Sequence, residues 1–182
     1  MILETKRLIL RPWKVEDAKE LYKYARDPRV GSAAGWPAHT SIQYSLQIIE
    51  EVLKASETYA IVLKQTMLPI GNIKISTQGF GNVAMSDTEA EIGYWLGVSY
   101  WGQGLMPKAV FEILRRCFED LYCTGVWCGY YDGNTRSRRV QEKCGFVYHH
   151  SIANHLTPYG EIRTEHFTYL SREKWIYMVK YQ

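Results

Sequence analysis

The sequence predicts a single mixed α/β domain, residues 1–182, whose sheet is not purely parallel. Three observations carry that expectation. Runs rich in β-branched and aromatic residues come in hairpin-like pairs around short turns, which argues against a purely parallel sheet. Between them lie segments whose apolar residues recur at i, i+3, i+4 and i+7, the spacing of an amphipathic helix. The 182 residues contain no internal repeat, low-complexity tract or linker, and that length suits one domain with a substantial core.

The elements follow in chain order. "LETKRLILRPW" reads as a strand in which Leu8 and Leu10 alternate with Arg7, Ile9 and Arg11, and Pro12 stops it. "VEDAKELYKYARD" places Ala18, Leu21, Tyr22 and Ala25 at helical spacing, and Asp27-Pro28 ends it. "VGSAAGWPAHTS" reads as irregular. Thr40 or Ser41 then caps a second helix with Ile42, Leu46, Ile49, Val52 and Leu53 on one face. "TYAIVLKQ" and "PIGNIKIST" form a hairpin turning near Met67 to Pro69. "GFGNVAMSD" is a loop and "AEIGYWLGV" a strand. The helix at 106–121 has the strongest pattern: Met106, Ala109, Val110, Ile113, Leu114, Cys117, Phe118 and Leu121 share one stripe. "GVWCGYY" is a strand, and Asn134 caps a short helix that stops at Gly145. "FVYHHSIANHL" and "IRTEHFTYL" pair around Pro158-Tyr159-Gly160, and "SREKW" begins a terminal helical turn.

Composition excludes several classes. Formal net charge is only +3, and the basic residues form no long block, so no nucleic-acid partner is expected. The N-terminus lacks the unbroken apolar core of a signal peptide. No apolar stretch approaches the roughly 18–20 residues of a membrane-spanning helix, so no membrane partner is expected. Cys117, Cys123, Cys128 and Cys144 form no C-x-x-C pair, so a zinc site is not indicated and reduced thiols in the cytoplasm are.

The chemistry-bearing stretch is "SYWGQGLMPKAV". Gly102 and Gly104 precede the strongest helix, and Pro107 falls in its first turn, where a missing N–H costs nothing. Glycines ahead of a helix let a phosphate approach its open amides. They also make an ordinary tight turn, and the two glycines alone leave both readings open. A P-loop would need G-x-x-x-x-G-K-[ST], which is absent. A dinucleotide fingerprint would need a third glycine where Pro107 stands.

The longer context decides between them. "EIGYWLGVSYWGQGLMPKAV" resembles the acetyl-coenzyme A motif of the GNAT N-acetyltransferases. "GNTRSRRVQEKCGF" resembles their second motif, in the same order along the chain. "GWPAHTS" and the closing "LSREKW" are similar to the subfamily containing the ribosomal-protein N-terminal alanine and serine acetyltransferases.

The resemblance implies the acyl-CoA N-acyltransferase fold, a central, mostly antiparallel sheet flanked by helices, with fourth and fifth strands (about 89–97 and 125–131) that splay apart to admit acetyl-CoA. It implies that the backbone of Leu96, Gly97 and Val98 bonds the pantetheine arm as an added strand. The amides of Gly102, Gln103, Gly104, Leu105 and Met106 would hold the pyrophosphate, and Asn134 would also contact the pantetheine. The family pattern is Gln/Arg-x-x-Gly-x-Gly/Ala. Here Trp101 takes its first position and Met106 its sixth, where a small residue is usual.

The implied reaction moves an acetyl group from acetyl-CoA to a primary amine by direct attack, with no metal. The acceptor would be a protein N-terminus or a small molecule such as a polyamine or aminoglycoside, and the enzyme a monomer or homodimer. The amine must lose a proton before attack, and the thiolate needs a donor. Glu91 is the candidate base, against a plain salt-bridged strand end, with Glu89 on the same face as substitute. Ser137 is the candidate donor to sulfur, against an ordinary first-turn polar residue. Many relatives carry a tyrosine where this chain has Gln141, which removes another candidate acid. Gln141 and Met106 keep open an alternative: an acyl-CoA-binding sensor or interaction module that has lost catalysis. His149, His150 and His155 show no ligand spacing. Arg138, Arg139 and Lys143 are candidates for the 3′-phosphate, or a solvated helix face. Trp36, Pro37, Tyr94, Trp95, Tyr130 and Tyr131 supply core aromatics that could also wall an amine.

Overall fold

The computed structural model describes residues 1–77, 83, 85–157 and 160–181. Most of the expected loop at 79–87 and the expected turn at Pro158-Tyr159 lie outside them. The chain divides into two compact units: Met1–Lys74 with Tyr94–Ala109, and Ile75–Gly93 with Val110–Gln182.

In the first unit the strands run β1 (Leu3–Glu4), β2 (Leu8–Arg11), β3 (Thr58–Leu63) and β4 (Leu68–Ser76), all antiparallel neighbours. The predicted opening strand is in fact β1 and β2 folded on each other, Leu3 opposite Leu10. Thr5 makes the turn, its hydroxyl accepting from Leu8 N at 3.0 Å. β3 and β4 form the expected hairpin, with Leu63 opposite Leu68. β5 (Glu89–Leu96) follows β4 in the strand order.

Helix α1 (Ala18–Ala25) lays Ala18, Leu21 and Ala25 on a cluster with Trp13, Ile49, Leu53, Ala60 and Val62. The segment after it corrects the sequence reading. Its first part, residues 30–34, is not irregular but belongs to a helix, α2 (Pro28–Ala34), while 36–41 have no regular structure, as expected. Asp27 both ends α1 and caps α2, its carboxylate accepting from Arg29 N at 3.0 Å. Pro28 then sits at the first position, where no amide is missed. The Gly/Ser/Ala composition hid a seven-residue helix whose signals were all in its caps. Helix α3 (Ile42–Ile48) is capped by Ser41 and widens into a π-turn at Ile49–Leu53.

In the second unit the order is β5, β6 (Gly125–Tyr131), β8 (Ile162–Ser171) and β7 (Val147–Leu156). β5 and β6 are parallel over Glu89–Ile92 and Gly125–Cys128 only. β6 continues to Tyr131 against β8, but its register with β5 stops at Cys128. The ladder thus ends halfway along β6, as strands that part require. Val83, Trp127 and Phe167 make a core cluster here.

Helix α4 (Leu105–Arg115) ends in a π-turn, Arg116–Asp120, so the helical path matches the predicted span within a residue at each end. Helix α5 (Thr135–Lys143) runs from the Asn134 cap. The terminal turn is a full helix, α6 (Arg172–Lys180), whose Trp175 is buried beside Phe118. Among the described residues no helix is long and apolar enough to cross a membrane.

Candidate functional site

In the first unit, β5 leads into a loop that delivers α4. Gly102 and Gly104 have φ of +75° and +69°, the left-handed region that only glycine enters without strain. A Cβ at Gly102 would meet no atom within 4 Å, and one at Gly104 only Arg7 Nη2, at 3.8 Å. Packing therefore does not demand these glycines; backbone conformation does. The outcome is a strip of main chain bare of side chains at the start of an eleven-residue helix. The first amides of a helix have no partner within it, so the strip offers donors and a positive dipole end to an anion.

Gln103 fixes this loop from both ends. Its side-chain Nε2 donates to Ser99 O at 2.8 Å. Its carbonyl accepts from Arg7 Nη2 at 2.8 Å. A trans peptide holds C=O and N–H on opposite sides, so drawing Gln103 O toward Arg7 turns the Gly104 amide the other way. Sequence reasoning placed Arg7 only as a polar alternation in a strand. No local signal could have found this contact, because it spans 96 positions. Met106 is buried, so its long side chain leaves the loop surface clear.

The Leu96–Val98 backbone is narrower in its options than the sequence implied. Gly97 N donates to Ile70 O at 2.9 Å, and Gly97 O accepts from Tyr100 N at 2.9 Å. Leu96 O accepts from the Trp101 indole at 2.8 Å, and Val98 O from Trp101 N at 3.1 Å. A carbonyl has a second lone pair, so these oxygens can take another donor, whereas the Gly97 amide is committed. In the same unit Trp36 packs edge-on against Trp95 at 5.7 Å and beside His39 at 5.3 Å. Buried His39 lies 2.7 Å from the Ser45 hydroxyl, and burial pushes its pKa down to about 4.

In the second unit, Glu89 and Glu91 share one face of β5, while Ala90 and Ile92 are buried on the other. Their environments differ. The Glu89 carboxylate accepts from Trp127 Nε1 at 3.1 Å, Tyr169 OH at 3.0 Å and Ser86 N at 3.1 Å. Burial pushes this carboxyl up, but those donors outweigh it and hold it below its ordinary value. Tyr169 is pushed up to about 12 by burial and by its bond to Glu89. A carboxylate so occupied serves as a structural clamp between β5, β6 and β8. Half-buried Glu91 stands opposite Trp127 in the register. Nearby, the Tyr131 phenol is raised by burial, with the charges of Glu165 and Glu91 adding and Arg163 opposing.

Helix α5 begins where β6 ends. Asn134 Oδ1 accepts from Ser137 N at 3.1 Å, so the cap is Asn134 and Ser137 is the residue whose amide it satisfies. Ser137 Oγ accepts instead from Gln141 Nε2 at 3.1 Å. Gln141 is fully buried, donates also to Gly129 O at 3.1 Å, and accepts from Thr168 Oγ1 at 2.8 Å. Sequence reasoning counted Gln141 only as a missing tyrosine. The signal was present: Ser137, Gln141 and Cys144 stand at i, i+4 and i+7, an inward stripe.

Arg138 Nε bonds Glu142 at 2.7 Å, one turn on. Arg139 and Lys143 are exposed. His149, His150 and His155 all lie on β7. The His150 ring stacks on Phe167, and His155 lies 3.9 Å from Glu165. Among the described residues no group of three or more His, Cys, Asp or Glu side chains could hold a metal ion.

Comparison with known proteins adds to this geometry. A family model described as the acetyltransferase (GNAT) domain matches residues 7–147. The uncharacterized N-acetyltransferase p20 of Bacillus licheniformis is 29% identical over 149 residues, 79% of this chain and 81% of that protein. Among solved structures, the ribosomal-protein-S5-alanine acetyltransferase of Vibrio fischeri superposes with a TM-score of 0.75 at 20% identity, covering 96% of this chain and 98% of that one. The microcin C7 self-immunity acetyltransferase MccE, solved with acetyl-CoA and AMP, gives a TM-score of 0.74 at 19% identity, over 92% and 93% of the two chains.

Proposed function

This chain belongs to the GNAT acetyltransferase family, and from that premise we propose that it transfers the acetyl group of acetyl-CoA to a primary amine, either a protein N-terminal α-amine or a small molecule. The observation that carries the reading is the Gly102–Gly104 loop: two left-handed glycines, open space at the first and only Arg7 near the second, opening an eleven-residue helix, and a carbonyl turned aside by Arg7. The amides from Gly102 to Met106 would hold the pyrophosphate. The carbonyls of Leu96, Gly97 and Val98 and the Asn134 side chain would bond the pantetheine arm.

An alkylammonium titrates near pH 10, so it must be deprotonated before it attacks. We assign that task, through water, to Glu91, half-buried on β5 where the family resemblance puts a base. The amine then adds to the thioester carbonyl, the C–S bond breaks, and coenzyme A leaves as thiolate. A serine hydroxyl is a far weaker acid than a thiol, whose pKa is about 8.5. Ser137 therefore helps by donating a hydrogen bond to the developing thiolate rather than by giving up its proton. The ribosomal-protein-S5-alanine acetyltransferase and the microcin C7 self-immunity acetyltransferase among the similar structures motivate the two acceptor classes.

The test is acetyl-CoA turnover, read as thiol release, across N-terminal peptides and small amines. Acceptor-dependent release of thiol is expected. Tight acetyl-CoA binding with no release for any acceptor would favour a binding module instead.

A further inference from the structure

Gln141 makes a network whose polarity can be worked out atom by atom. It is 0% exposed, and a buried amide must be fully satisfied or it destabilises the fold. Gly129 O is a carbonyl and can only accept, so the amide atom facing it at 3.1 Å is nitrogen. The amide oxygen consequently faces Thr168 Oγ1 at 2.8 Å. That hydroxyl has one hydrogen and a second acceptor, Cys128 O, at 3.0 Å. The other N–H of Gln141 Nε2 points at Ser137 Oγ, at 3.1 Å. Rotating the amide by half a turn would set two acceptors face to face at Gly129, so the orientation is determined.

One consequence concerns Ser137. A hydroxyl is both donor and acceptor, and its hydrogen rotates to suit its neighbours. Gln141 presents it with a donor, so Ser137 Oγ accepts on that side and its hydrogen turns away from Gln141. We propose that Gln141 is a positioning residue that sets the Ser137 hydroxyl as a hydrogen-bond donor to the sulfur of the departing thiolate. This rests on the reading of Ser137 given above. It gives the residue that replaces the family's tyrosine a function: acting through a second side chain, with no titratable proton of its own.

A double-mutant cycle tests it. Ser137→Ala is expected to lower kcat by about 10–100-fold, the worth of one hydrogen bond to a charged group, with KM for acetyl-CoA nearly unchanged. Gln141→Met fills the space without the donor and is expected to lower kcat about tenfold in the parent but not in the Ser137→Ala background. Gln141→Glu, protonated so that it still donates to Gly129 O, keeps the shape and draws the serine hydrogen toward its other lone pairs, so its loss should approach that of Ser137→Ala.

If Ser137→Ala leaves kcat unchanged, the reading of Ser137 fails and the proposal with it. If Ser137→Ala lowers kcat but the Gln141 variants do not, or lower it equally in both backgrounds, Ser137 stands and the Gln141 role is overturned. A readout independent of turnover guards against a general loss of structure. In Ser137→Cys, donation from Gln141 should lower the pKa of the introduced thiol relative to Ser137→Cys/Gln141→Met, as followed by alkylation rate against pH. Equal thiol pKa values would also overturn the proposal.

Discussion

His39 makes the stability of this protein depend on mild acid. It is buried against Trp36, Tyr44 and the Ser45 hydroxyl, and burial lowers its pKa from 6.5 to about 4. Between those values the unfolded chain binds a proton that the folded chain refuses. Stability is therefore complete above the unfolded pKa and is lost as pH falls through 6.5 toward 4. Each pH unit in that window costs about 1.4 kcal/mol, so acidification to pH 5 should cost about 2 kcal/mol. For a chain of this size that is roughly 4–8 °C in Tm. Thermal melts at pH 7.5, 6 and 5 measure it, and His39→Gln supplies the control. The variant should be less stable at pH 7.5 but should lose less between pH 7.5 and 5. Parallel losses in variant and parent would show that another group carries the pH dependence and that His39 titrates normally.

Four further outcomes are expected. Gly104→Val places a β-branched residue at φ +69° and should weaken acetyl-CoA binding in calorimetric titration, whereas unchanged affinity in a folded variant would refute the phosphate role of the loop. Glu91→Gln should lower kcat and alter the pH–rate profile while sparing acetyl-CoA affinity; a profile matching the parent would make Glu91 structural. Glu89→Gln should act mainly on stability. Because the folded Glu89 pKa is depressed below 4.5, the stabilisation is present above that value and lost as pH falls through the folded one, so variant and parent melts should converge in strong acid. Asn134→Ala should cost about 1 kcal/mol as a lost cap, read as a lower denaturant midpoint, while Ser137→Ala removes no cap but leaves one buried Gln141 N–H without its acceptor, a loss of about 1–3 kcal/mol.

Local chemistry determined much of this protein. The period of its apolar residues set the helical path of α4, because burying one face of a helix requires that spacing, and two β-rich runs around a short turn set the hairpin of β3 and β4. Asn134 read as a cap because capping is decided within one turn. The glycines ahead of α4 were legible as a turn or an anion site, and their left-handed φ values came only with the fold. Helix α2 escaped because its evidence lay in Asp27, Pro28 and Gly35 rather than in any apolar stripe. Tertiary structure alone separated Glu89 from Glu91. They are identical side chains on one face of one strand, and the donors that fix Glu89, from Trp127 and Tyr169, come from 38 and 80 positions away. It likewise brought Arg7 to Gln103, and Gly129 and Thr168 to Gln141. Hydrogen-bond polarity depends on which atoms face one another across the fold, and no spacing along the chain encodes that.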